Sequence, residues 1–157
     1  MEKKIVASAE MLIRKPPADV FNAFVDPRII EKFWLKSASG PLAKGASAEW
    51  EFMVPGARDT ITVTEFVRDE VLGWTWSDGT AVKLEFHPHE KTGTRISVTD
   101  SAFDSSNELS HSLDSMQGFT IVLCDLKCLL ETGKSGNMVR DKAALITADK
   151  ARTKDRS

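Results

Sequence analysis

Two acidic residues stand inside apolar, alternating stretches of this 157-residue chain: Glu65 in ITVTEFV and Asp100 in ISVTD. A strand repeats every two residues, which places Glu65 on the face of Ile61, Val63 and Val67, and Asp100 on the face of Ile96 and Val98. Burial penalises the ionised form of a carboxyl, raises its pKa and can make it a general acid or base. Glu65 and Asp100 are therefore the catalytic candidates. The same pattern also fits two residues at the rim of a sheet, solvated or paired with Arg58, Arg68 or Arg95.

The other reactive residue types are thinly spread. His87, His89 and His111 are the only histidines, and His87-Pro88-His89 beside Glu90 matches no established zinc or non-haem iron spacing. Cys124 and Cys128 stand four apart in a helical pattern, too few ligands for a metal site and poorly placed for a disulfide. The Ser-rich stretch SSNELSHSLDS lacks a glycine-flanked nucleophile elbow and reads as a helix cap and first turn. With no glycine-rich phosphate loop either, neither a metal nor a cofactor is expected.

Aromatic residues are few and concentrated: four Trp, eight Phe and no Tyr, with two of the Trp in GWTW at 73 to 76. In a strand, Leu72, Trp74 and Trp76 share one side. Two indoles on one face either fill a core or line a space in which something else binds.

Several elements must position these groups. Residues 4 to 14 alternate as a strand that Pro16-Pro17 ends; ADVFNAFV and RIIEKFW then carry helical spacing, separated by Asp26-Pro27. From Ala46 to Phe103 the period becomes two, in five strands divided by turn signals such as Asp78-Gly79. Residues 105 to 132 form a long helix with Leu109, Leu113, Met116, Phe119, Leu123, Leu126 and Leu130 at threes and fours, closed by Gly133. One short helix, around Met138 to Ile146, is expected in the charged tail.

Six antiparallel strands with one apolar face, and a long helix with one apolar stripe, can bury those surfaces against each other, which predicts an α+β two-layer domain. The predicted domain spans residues 1–133, and 134–157 form a C-terminal extension. A net charge of -2, with 28% charged residues, lacks the basic excess that nucleic acid calls for. No run of eighteen apolar residues occurs, so no membrane span is expected, and the N-terminus does not read as a signal sequence. The expected compartment is cytoplasmic.

Three stretches carry a family resemblance: PPADVFNAFVDPRIIEKFW, GTRISVTDSAF and GFTIVLCDLKCLLETG. In this order they resemble the START-like, or SRPBCC, superfamily with the birch-pollen-allergen fold, and within it the branch of the activator of the heat-shock 90 chaperone ATPase. The resemblance implies a helix-grip fold, in which a curved sheet wraps a long C-terminal helix around a hydrophobic chamber. Many relatives carry His where Asp100 stands here.

The function expected is binding of a small hydrophobic or amphipathic ligand, with Phe24, Trp34, Trp50, Phe52, Trp74, Trp76, Phe86, Met116 and Phe119 as candidate walls. The alternatives are a cyclase- or hydrolase-like enzyme using Glu65 or Asp100, and a chaperone-interacting module. A chaperone partner is disfavoured because the chain lacks the additional N-terminal domain of full-length activators. Pairing as a homodimer is implied by the resemblance alone.

Overall fold

In a computed structural model, which describes residues 4–103 and 106–155, one antiparallel sheet curves against a long helix. The elements run β1 (Ala7–Ile13), α1 (Pro17–Val25), α2 (Pro27–Phe33), β2 (Leu35–Ala38), β3 (Ser47–Phe52), β4 (Arg58–Val67), β5 (Val71–Thr75), β6 (Ala81–His89), β7 (Gly93–Ser101), α3 (Glu108–Thr132) and α4 (Met138–Asp155). The sheet order is β1-β7-β6-β5-β4-β3-β2. The first strand thus closes the sheet beside the last.

Local chemistry sets the boundaries. Pro17 and Pro27 each occupy a first helical turn, where a missing N–H costs nothing. The Asp26 carboxylate accepts from the backbone N–H of Arg28 at 2.9 Å and caps α2. Gly133 ends α3 at φ 83°, a left-handed conformation open to glycine, with its N–H donating to Leu129 O at 2.8 Å.

The sheet has seven strands rather than the six expected. The additional strand, β2, is the four-residue LKSA that follows α2 without a break, and it pairs with β3 across a register shift between Leu35 and Ser37. Four residues give too little alternation to read as a strand. The tail also exceeds expectation, since α4 runs eighteen residues rather than about nine.

Another correction concerns β4. Its pairing with β5 slips between Val63 and Glu65, so that Val63 faces Trp74 and Glu65 faces Gly73. The extra residue of a bulge inverts every later side chain. Ile61 and Val63 are buried as expected, but Phe66 then turns inward and Val67 outward. Phe66 meets Phe21 of α1 edge-on at 5.3 Å. Opposite the slip, a Cβ on Gly73 would lie 3.3 Å from Glu65 Cβ, Thr64 Oγ1 and Val82 O, a close approach that glycine permits.

Helix α3 is tied near both of its ends to β1 and the residues flanking it. Glu108 accepts from the N–H of Ile5 at 2.7 Å, and Lys127 donates to Leu12 O at 2.7 Å while Glu131 accepts from the N–H of Arg14. These bonds fix the helix's rotation. Its inward stripe runs through Ser112, Ser115, Phe119, Val122, Leu126 and Leu129, whereas Leu109, Leu113 and Met116 are exposed. The apolar spacing expected at the helix start is real, but that side faces away from the sheet.

Candidate functional site

The four tryptophans come from different parts of the chain and meet at one place. Trp34 closes α2, Trp50 lies on β3, Trp74 on β5 and Trp76 just beyond it. Every pair of them is in contact, with ring centroids 5.2 to 6.3 Å apart and mostly edge-to-face. The two indoles of GWTW play different parts within this cluster. Trp74 is fully buried, whereas Trp76 is half-buried at the head of the turn that Asp78, Gly79 and Thr80 complete.

Next to the cluster is an open cavity of about 500 Å³ between the sheet, α3 and α4. Trp34, Phe52 and Trp76 line it on the sheet side, and Phe119 and Val122 on α3. From α4 come Val139, Ala143 and Ile146, at the i, i+4 and i+7 spacing of one helix face. Phe24, Trp50, Trp74 and Phe86 are packed behind this wall in the core, and Met116, 41% exposed, does not border the space.

The polar end of the cavity centres on Asp100. Only 4% exposed, it stands in a cross-strand row with Val82 and Trp74, all on the inner face of the sheet. Its Oδ2 accepts from the Ser115 hydroxyl of α3 at 2.7 Å, and its Oδ1 has no partner. Burial drives its pKa up to about 6, with the nearby Asp78 charge adding to the rise; the Ser115 hydroxyl and the Ser101 backbone N–H oppose it. Asp78 and Asp59 also border the cavity, but their carboxylates already accept hydrogen bonds: Asp78 from Thr80, Asp59 from Thr60 and Ser77.

Glu65 does not share this environment. After the β4 bulge its side chain is half-exposed on the outer face, 3.9 Å from Lys83. Sequence alternation cannot reveal a bulge, so the two carboxylates looked equivalent when they are not. Of the three histidines, His111 borders the cavity, while His87 contacts Glu85 and His89 lies near Glu90. Cys124 and Cys128 are free thiols on α3.

Two contributors escaped the sequence reading. Ser115 lies on the inward helical line that Ser112 and Phe119 share, a spacing visible in the sequence but masked by the stronger leucine pattern. Asp125, 1% exposed, accepts from the Ser135 hydroxyl and the Gly136 N–H at 2.8 Å and from the Val139 N–H at 3.4 Å. A carboxylate on the second half of α3 thereby anchors the start of α4, and with it one wall of the cavity.

A family model described as Activator of Hsp90 ATPase homolog 1-like protein matches residues 14–131. No curated protein matches the sequence. Among solved structures, a Staphylococcus saprophyticus protein is similar at 26% identity and a TM-score of 0.75, over 83% of this chain and 95% of that one. The Aha1 dimer from Colwellia psychrerythraea is similar at 19% identity and a TM-score of 0.74, over 83% and 99%. DynU16, from the dynemicin biosynthetic locus, matches at 23% identity and a TM-score of 0.71, over 83% of this chain and 48% of its own. The last two likenesses bear on the fold alone.

Proposed function

This chain belongs to the Activator of Hsp90 ATPase homolog 1-like family, and from that premise we propose that it binds a small apolar or amphipathic molecule in the cavity between sheet, α3 and α4. One observation carries the reading: aromatic side chains line an open space of about 500 Å³ that is also bordered by Asp100, a buried carboxylate with one oxygen lacking a partner. Ligand sites are commonly apolar cavities of roughly 300–1,000 Å³ with a few convergent polar groups. Trp34, Phe52, Trp76 and Phe119 are the contact residues in this reading. Trp50, Trp74, Phe24 and Phe86 hold them in place from behind.

The driving force is removal of apolar surface from water, at about 25 cal/mol per Å². Helix α4 of the C-terminal extension takes part in the binding unit in this reading, because Val139, Ala143 and Ile146 supply one wall. No described helix is long and apolar enough to cross a membrane, and the protein acts in the cytoplasm in this reading. Native mass spectrometry of protein purified from its own host tests the proposal. A retained small molecule that is lost in the Trp76→Ala variant supports it; retention unchanged in that variant overturns it.

A second reading, proton transfer at Asp100, is favoured by its burial and its pKa of about 6. It requires Asp100→Asn to abolish turnover of a bound molecule while binding survives. Homodimer formation is supported by the exposed stripe of Leu109, Leu113 and Met116 on α3. A dimer is also what the name of the Colwellia structure states of that protein. A chaperone partner has no comparable support from the residues.

A further inference from the structure

Resting on the cavity reading above, we propose that the ligand is a cationic amphiphile, an organic ammonium whose head is accepted by Asp100 Oδ1 and whose apolar body lies along Trp76 and Phe119. The acceptor is built into the fold: Ser115 occupies Oδ2 and orients the carboxylate, leaving Oδ1 buried and free. A buried acceptor left unsatisfied is costly, so a donor arriving with the ligand gains more here than at the surface. Asp59 and Asp78 add negative charge at the same cavity, with Thr60 and Ser77 donating to the two oxygens of Asp59 and Thr80 donating to one oxygen of Asp78.

The opposing charges come from the helices. Lys142 of α4 borders the cavity, and so does the His111 imidazole of α3. Three carboxylates against one lysine disfavour an anionic head, and a charged donor satisfies an ionised acceptor better than a hydroxyl does. The preference also depends on pH. Asp100 is ionised above about pH 6 and loses its charge below it.

The test compares decylamine, decanol and decanoate by calorimetric titration with the full chain, its Asp100→Asn variant and its Trp76→Ala variant. Decylamine is expected to bind tightest, and Asp100→Asn to weaken it about 10- to 100-fold, the range for a hydrogen bond to a charged group, while leaving decanol unchanged. Lowering the pH from about 7.5 to about 5 is expected to weaken decylamine in the parent far more than in Asp100→Asn. Equal affinity for all three heads, tighter decanoate binding, or an amine affinity unaffected by Asp100→Asn would overturn the ammonium assignment alone. Failure of all three to bind would overturn the cavity reading with it. Asp100→Asn removes a buried charge and keeps an acceptor for Ser115, so it is expected to fold; its melting temperature confirms this independently of binding.

Discussion

The Ser115 hydroxyl donates to Asp100 Oδ2 across 2.7 Å, joining α3 to the inner face of β7 at the only point where this sheet face turns a buried carboxylate to the helix among the described residues. One bond therefore positions the polar end of the cavity. It also holds a charge where charge is unfavourable.

That placement makes stability depend on pH with a definite sign. The folded-state pKa of Asp100, about 6, lies above its ordinary value of 3.8. The resulting stability is fully present below about pH 4 and lost as the pH rises through about 6. Asp100→Asn is expected to be more stable than the parent by about 1–3 kcal/mol near pH 7.5, and to converge with it below about pH 4. Urea unfolding of both proteins across that range measures the difference; a variant less stable near pH 7.5 contradicts the placement.

Trp74 and Trp76 are expected to separate stability from binding. Trp74→Ala empties a fully buried site and should cost about 3–5 kcal/mol. Trp76→Ala removes a half-buried wall and should cost clearly less, with the larger effect on ligand retention. Chemical denaturation and ligand titration on the two variants decide it.

The β4 bulge predicts that Phe66→Ala destabilises more than Val67→Ala, because Phe66 packs on Phe21 and Val67 is 48% exposed. About 2–4 kcal/mol is expected for the first and under about 1 kcal/mol for the second. Glu65→Gln should change stability by less than about 0.5 kcal/mol, as befits an exposed partner of Lys83. The reverse order for Phe66 and Val67 in unfolding experiments would restore uninterrupted alternation.

Asp125→Ala should release α4. Three hydrogen bonds to a buried carboxylate are lost, at an expected cost of about 2–4 kcal/mol. Hydrogen exchange over 138–155 is expected to quicken more than over 117–132. Equal protection in the parent and the variant would mean that α4 is held by its apolar face alone.

The alternating strands, the two short helices set off by Pro17 and Pro27, and the long helix closed by Gly133 were legible in the sequence, because each rests on local chemistry: a period, a missing N–H, a left-handed residue. The aromatic neighbourhood was legible as composition. Three other features were not local. The Thr64 bulge, which turned Glu65 outward, depends on how β4 pairs with β5; α3's rotation, which put Ser115 inside and Met116 outside, depends on bonds to β1 and the residues flanking it; and α4's place as a wall depends on Asp125. The chain by itself determined which surfaces are apolar and at what period they recur. Only the tertiary structure decided which carboxylate entered the cavity, because register, rotation and docking arise from contacts between residues far apart in sequence, which no periodicity records.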